Sequence, residues 1–309
     1  METRREFLGA AGAAFSAALA ADRPTQDDIS LAAWSINRSF FVAHRWKNLD
    51  LPQICREQLG INGIEFVNQF FENPTLTYLN QLKRNGNTHG VRFVLIMVDA
   101  EGDMASADKN LRMQSAIAHR KWVDIAHFLG CHAIRCNMGG PRQNWKEDRD
   151  LVPRAAESFH NLLEYARGAN LNVVIENHGG ASSDPDVLVA LMKTVNNPNF
   201  GTLPDFGNVN PGADHAEVMR RLLPYAKGIS VKAAWDPDGK HSRWDLEKLV
   251  RISQDSGYHG FWGIESSFGL RGPRGAADPN LSHDQIWENE LKGVRLTKAL
   301  LERTVLKKA

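Results

Sequence analysis

From residue 30 onward the chain alternates between two kinds of apolar pattern. Short runs of five to seven residues, most of them rich in Val, Ile, Phe or Leu, recur at Leu31–Ser35, Gly63–Val67, Arg92–Val98, His132–Met138, Asn172–His178, Gly201–Gly207, Gly228–Ala234 and Gly260–Ser266. Such runs suit strands buried on both faces, as in a parallel sheet. Between them lie longer stretches with apolar residues on one helical face. One spans about Ala107 to Leu129, with Leu111, Ile117, Trp122, Ile125, Ala126 and Leu129 broadly on one side. Another runs from Val152 to Arg167 through Ala155, Phe159, Leu162, Leu163 and Ala166. Ser183-Asp184-Pro185 supplies cap residues and then a proline suited to a first helical turn, which predicts a helix over Asp186–Val195. A last helix is predicted from about Asp284 to Arg303. Eight strand units, each followed by a helix or a helix-length segment, predict an α/β fold with a parallel sheet and crossover helices. Eight units favour a single closed (β/α)8 barrel over an open sheet. No GxGxxG follows the first strand, so a dinucleotide-binding fold has no support.

The start of the chain follows neither pattern. Thr3-Arg4-Arg5-Glu6-Phe7-Leu8 leads into an Ala-rich run from Gly9 to Ala20, and Ala18-Leu19-Ala20 is a small-x-small cleavage motif. A charged start, a short apolar run and a small-residue cut read as an export signal. Arg4-Arg5 with Phe7-Leu8 resembles the bacterial twin-arginine signal. The run is too short to span a bilayer comfortably, and no cysteine lies near the cut. The expectation is an exported, periplasmic or secreted protein with no membrane anchor after cleavage. Residues 1–25 are set apart as the signal and residues 26–309 as one barrel domain, since no Pro/Ser linker divides the latter.

Composition narrows the partners. Lys and Arg number 37 against 36 Asp and Glu, a net charge of +1, which gives no electrostatic reason to expect nucleic acid or an anionic membrane. Cys55, Cys131 and Cys136 form no CxxC pair and are odd in number. They read as buried thiols rather than a disulfide framework.

Active sites of (β/α)8 barrels sit at the C-terminal ends of the strands, so polar residues there carry the functional reading. Val173-Val174-Ile175-Glu176-Asn177-His178 puts Glu176 and His178 on one face. The next run ends in Leu203-Pro204-Asp205, the seventh presents Ser230 and Lys232 on one face, and the eighth ends in Ile264-Glu265. The second supplies Glu65, and the fourth Arg135 and Asn137. An ionisable residue ending an apolar run is costly unless paired or bound. Glu176, Asp205 and Glu265 together would place three mutually repelling carboxylates in one mouth, and a divalent cation is the usual means of holding them. Oxygen ligation favours Mn, Mg or Co, with Zn a further candidate. Trp34, Trp235 and Trp262 fall near strand ends, as sugar-stacking walls or as barrel core. His132 reads as packed or surface rather than a ligand, and His215, His241, His259 and His283 read as solvated.

On these pieces the chain resembles the xylose-isomerase-like TIM-barrel family of sugar isomerases and epimerases over residues 30–303. The pieces that carry the resemblance most strongly are Ile175-Glu176-Asn177-His178-Gly179-Gly180, Leu203-Pro204-Asp205-Phe206-Gly207-Asn208 and Trp262-Gly263-Ile264-Glu265-Ser266. Weaker ones are Gly63-Ile64-Glu65-Phe66-Val67-Asn68 and the stretch from Leu129 to Asn137. The resemblance implies a divalent metal on Glu176, Asp205 and Glu265, with Glu176 and Glu265 also shuttling a proton beside a ketose carbonyl. It implies that Arg135 and Lys232 bind substrate oxygens or stabilise negative charge, with Trp34, Glu65, Asn137 and His178 as further substrate contacts. An internal salt bridge is the rival reading for Arg135.

The family's metal-binding His falls on Ser230 here. This departure leaves three arrangements: a metal with three protein ligands and water, a metal that takes His178 in place of the imidazole, or no metal, with Lys232 balancing the carboxylates. The expected substrate is a small sugar or glycoside. Two alternatives stand beside the isomerase: an exported lyase or hydrolase-like enzyme acting on 3-keto-glycosides through the same residues, and a carbohydrate-binding barrel without catalysis. A DNA-repair endonuclease on this fold would need a His-rich multi-zinc site and a basic surface, which the sequence lacks.

Overall fold

The computed structural model describes residues 27–269 and 280–306; the expected export signal, residues 1–25, lies outside the described residues. Eight strands form one parallel sheet: β1 Asp28–Ala32, β2 Gly63–Val67, β3 Arg92–Val98, β4 Ala133–Cys136, β5 Asn172–Glu176, β6 Phe200–Leu203, β7 Ile229–Trp235 and β8 Phe261–Phe268. Neighbours in sequence pair in space from β1 to β6, and β8 pairs with both β1 and β7. The remaining seam, between β6 and β7, is closed by two parallel bridges, Thr202 to Ala226 and Asp205 to Ser230. Backbone hydrogen bonds from Ser230 N to Pro204 O (2.9 Å) and Phe206 N to Ser230 O (3.1 Å) hold it. The sheet is therefore a closed α/β barrel, as the strand count predicts.

Most crossover segments carry a helix that packs its apolar stripe outside the barrel, and one apolar core runs through the described residues. Helix Leu151–Ala166 buries Ala155, Phe159, Leu162, Leu163 and Ala166, the face expected from the sequence. The long helix expected over about 107–129 is two, Lys109–Ala118 and Arg120–Leu129. It breaks at His119, whose ring Nδ1 lies 2.8 Å from the Ser115 carbonyl. β1 begins and ends three residues before the predicted run, because the chain turns into a 3-10 helix at Ala33–Ile36. The three cysteines are buried and free.

Inside the barrel, small residues make room for large polar ones. Ser30, Gly63, Ser230 and Gly263 pair across β2, β1, β8 and β7 as one small-residue layer. A Cβ at Gly263 would stand 2.3 Å from Oε1 of Glu65, so only glycine leaves space for that carboxyl. The sequence buries charge here by subtracting volume on the neighbouring strand.

The helix Pro185–Val195 starts where the cap signal places it. Asp184 Oδ1 accepts from Asp186 N at 3.0 Å, and Oδ2 accepts from Trp145 Nε1 at 2.8 Å. Asp184→Ala removes both bonds and is expected to lower stability by about 1–2 kcal/mol in urea denaturation. An unchanged midpoint would refute this account of the cap.

Candidate active site at the barrel mouth

A cavity of about 390 Å³ opens at the C-terminal ends of the strands, lined by Trp34, Gln69, Asp99, Arg135, Glu176, His178 and Glu265. Each charged side chain arrives from a barrel strand or from the segment that follows one. Glu176 is the last residue of β5, Arg135 is the third of β4, Lys232 and Glu265 lie side by side on β7 and β8, and Asp205 sits on the seam that closes the barrel. Alternation along each strand turns these side chains inward.

Glu176, Asp205 and Glu265 each offer an oxygen to one cluster whose atoms lie within 4.8 Å of one another. Asp205 is the most tightly held. Its Oδ1 accepts from Gly207 N (2.8 Å) and Asn208 N (2.7 Å), and its Oδ2 accepts from the Ser230 hydroxyl at 2.7 Å. Ser230, which stands at the family's histidine position, thus binds the carboxylate by hydrogen bond. Lys232 Nζ lies 2.5 Å from Glu265 Oε1 and 3.5 Å from Asp205 Oδ2. Gly207 permits this, since a Cβ there would meet the Lys232 stem at 2.9 Å and Trp244 at 2.7 Å.

Glu176 accepts one hydrogen bond on Oε1 from Asn208 Nδ2 at 2.7 Å. Its Oε2 lies 3.0 Å from Arg135 Nε, close enough for an ion pair, but the N–H is not aimed along a hydrogen bond. Both atoms are buried without a hydrogen-bond partner. Burial pushes the Glu176 carboxyl up to about 8, Arg135 opposing the rise and Asp205 adding to it. Burial works against the charges of Lys232 and Arg135, but the facing carboxylates outweigh it and hold both above their ordinary values. His178 is pushed down to about 4, first by burial and then by Arg135 and Lys232, so it is neutral at pH 7.

The other predicted contacts divide into two groups. Trp34 lines the cavity, with its Nε1 donating to Asp99 Oδ2 at 3.1 Å. His178 lines the cavity too but contributes no atom to the carboxylate cluster. Asn137 is tied to Asp99 Oδ1 at 2.7 Å. Glu65 does not line the cavity. It is 1% exposed among the small residues of β1 and β8, and its Oε1 accepts from Ser30 at 2.6 Å. Arg135 is ion-paired to Asp99 at 2.6 Å and to Glu176, which matches the rival structural reading made for it.

Asp99 escaped the sequence reading. It follows Val98 at the end of β3 and accepts from Arg135, Asn137 and Trp34. Burial favours its neutral form, yet Arg135 and these donors hold its carboxyl below the usual range. Asn208, which orients Glu176, was also missed. Two tryptophans take the core reading of the two offered for them, and two histidines depart from the solvated one. Trp235 and Trp262 are core: Trp235 bonds Thr297 on the last helix, and Trp262 lies near the start of β8 beside Asp27. His215 and His241 are not simply solvated, since both pack on Trp244. A second cavity of about 270 Å³ lies at the opposite end of the barrel, away from all these groups.

Four carboxylates, Asp99, Glu176, Asp205 and Glu265, therefore face two fixed cations, Arg135 and Lys232. With Glu176 ionised, the excess would be two negative charges, the charge of one divalent ion, and the donor set is oxygen. The buried, partnerless Oε2 of Glu176 is a donor to which no protein proton is aimed. On these observations the residues fit a hard divalent cation.

A model of the xylose isomerase-like TIM barrel family matches residues 56–285. Among solved structures, L-ribulose 3-epimerase superposes with a TM-score of 0.69 at 17% identity, covering 91% of this chain and 95% of that one. D-allulose 3-epimerase from Methylomonas sp., in complex with D-allulose, gives 0.67 at 15% identity, covering 91% and 98%. A xylose isomerase-like TIM barrel protein from Mycobacterium smegmatis, in complex with magnesium, gives 0.60 at 16% identity, covering 89% and 97%. No curated protein matches in sequence. The fold and the mouth define a (β/α)8 barrel of the carboxylate-site type. The chain belongs to the xylose isomerase-like TIM barrel family.

Glu65 provides a test of charge burial in this barrel. Burial pushes its carboxyl up to about 7 from 4.5, against the Ser30 hydrogen bond, with Glu265 adding to the rise. Between those values the unfolded chain loses the proton and the folded chain keeps it, so stability falls as pH rises through the window and is highest below it. Glu65→Gln cannot ionise. With chelator present, its loss of stability from pH 5 to pH 8 is expected to be smaller than that of the native protein by about 3 kcal/mol. Parallel profiles in urea denaturation would show that Glu65 is not buried in this way.

Proposed function

We propose that this protein is a sugar isomerase or epimerase that moves a proton at a carbon beside a carbonyl, with a divalent cation on Glu176, Asp205 and Glu265. The observation that carries the reading is the convergence of three carboxylates from β5, the β6–β7 seam and β8 on one point, two of them lining a cavity of sugar size. Support comes from family membership and from neighbours named as epimerases of L-ribulose and D-allulose. One neighbour is named as a magnesium complex.

A cation at this point would polarise the substrate carbonyl and hold the charge left by proton removal. The protein's own residues do the rest. Glu176 and Glu265 both line the cavity, one to remove the proton and the other to return it. Lys232, fixed against Glu265 and kept charged by three carboxylates, holds the Glu265 carboxylate in place. Arg135, anchored by Asp99, faces Glu176 and keeps the mouth from carrying its full negative charge. The Trp34 ring, pinned by Asp99, supplies the apolar wall against which a sugar face can stack. In the same reading residues 1–25 export the protein, and its substrate is a sugar or glycoside met outside the cytoplasm.

Two measurements test this. In D2O, free ketoses and 3-keto-glycosides incubated with the Mn-loaded enzyme are expected to gain deuterium beside the carbonyl. Glu265→Gln and Glu176→Gln should each lower that exchange at least a hundredfold while leaving the fold intact. Exchange that survives both substitutions would refute the assignment of the base. Adding Mn or Mg to chelator-treated protein should raise its melting temperature, and less so in Asp205→Asn. No gain with any divalent ion would leave Lys232 as the balancing charge and refute the metal.

A further inference from the structure

The second cavity lies around the starts of β3 and β4, at the end of the barrel opposite the carboxylate cluster. Arg92, on its wall, and Asp99, on the wall of the mouth, are separated by the length of β3, about 23 Å at the rise of an extended strand. The barrel between them is packed with side chains, so a molecule in one cavity does not reach the other.

Its lining divides cleanly. Val91, Phe93, Val94, Leu129 and Phe261 provide apolar walls, while Lys83, Arg92 and His132 provide the ionisable groups. No Asp or Glu is among the lining residues. Arg92 stacks on Phe261 with its guanidinium carbon 4.9 Å from the ring centroid, and among the described residues it has no carboxylate partner. A guanidinium over an aromatic face keeps its planar fork of N–H donors, which can grip a carboxylate with two parallel hydrogen bonds. Lys83 Nζ is placed by the Phe128 carbonyl at 2.9 Å and the Phe128 ring at 4.8 Å, which leaves donors over. His132 is enclosed by protein yet open to the cavity, and its electrostatic neighbours are the cations Lys227 and Arg92. Lys83 and Arg92 place like charges on one apolar pocket whose lining holds no acid, and an anion is the group that would relieve their repulsion.

We propose that this cavity binds a small organic anion, a carboxylate with an apolar body, held by Arg92 and Lys83 with the body against Phe93, Val94 and Leu129. The site is separate from the sugar reaction and stands whether or not that reading holds. A ligand there ties the helices Leu76–His89 and Arg120–Leu129 to the base of β3 and β4, so binding adds to stability.

Calorimetry on the full chain with benzoate tests this, with benzyl alcohol as the uncharged analogue of the same shape. Benzoate is expected to saturate with a Kd at least tenfold below that of benzyl alcohol. Arg92→Gln and Lys83→Gln should each weaken benzoate at least fivefold, and Glu265→Gln, altered only at the mouth, should bind it as the native protein does. The imidazole NMR signals of His132, assigned by its loss in His132→Gln, should shift on addition of benzoate. If Arg92→Gln does not fold, Lys83→Gln and the His132 signal decide alone. No saturation, equal binding of the alcohol, indifference to the Lys83 and Arg92 substitutions, a static His132 signal, or loss of binding in Glu265→Gln would each overturn the proposal.

Discussion

The central constraint on this molecule is the burial of more carboxylates than cations at one end of a barrel. A low-dielectric interior makes like charges expensive, and much of the local architecture serves to contain them. The β6–β7 seam places Ser230 against Asp205. The turn after Asp205 sends two backbone N–H groups to its carboxylate and one side-chain amide, from Asn208, to Glu176. Arg135 is held by Asp99, and Lys232 runs past a glycine to reach Glu265. What these contacts leave, more carboxyl groups than cations and one buried Glu176 oxygen without a hydrogen bond, is the feature on which the functional reading rests.

The serine at the family's histidine position fits this scheme. An imidazole would bring a further ligand to the ion. A hydroxyl instead donates a hydrogen bond to Asp205 and leaves the opposite side of the cluster to Lys232. Under the proposed reading the chain would have, where the resemblance expects a ligand, an orienting contact of the kind that supports metal-binding carboxylates from behind. With three protein oxygens on the ion, more of its coordination shell falls to substrate and water under the proposed reading.

Much of this was legible in the sequence. Doubly buried strands write themselves as continuous apolar runs, and a charge at the end of such a run is conspicuous. Hence β2 and β3 have the limits expected of them, and the apolar runs before Glu176, Asp205 and Glu265 point to the end of the barrel where the three cluster. The same rule, carried one residue past Val98, would have found Asp99. Other features depend on geometry that periodicity does not encode. β1 and its following turn read alike because Ala33 and Ile36 are buried in either conformation. At the break, the His119 ring and backbone N–H share the Ser115 carbonyl, a contact that periodicity does not show. Asn208 reaches Glu176 only because the turn after Asp205 is tight, and the packing of His215 and His241 on Trp244 joins residues that look like solvated loop. Trp262 takes the core alternative because it lies near the beginning rather than the end of its strand.

The claim that everything else depends on is that Glu176, Asp205 and Glu265 share one cation. Anomalous scattering from crystals grown with Mn tests it most directly. The account predicts a single strong peak at the barrel mouth with an oxygen of each of the three carboxylates about 2.0–2.6 Å away. A mouth with no anomalous peak and Lys232 still seated on Glu265 would contradict it.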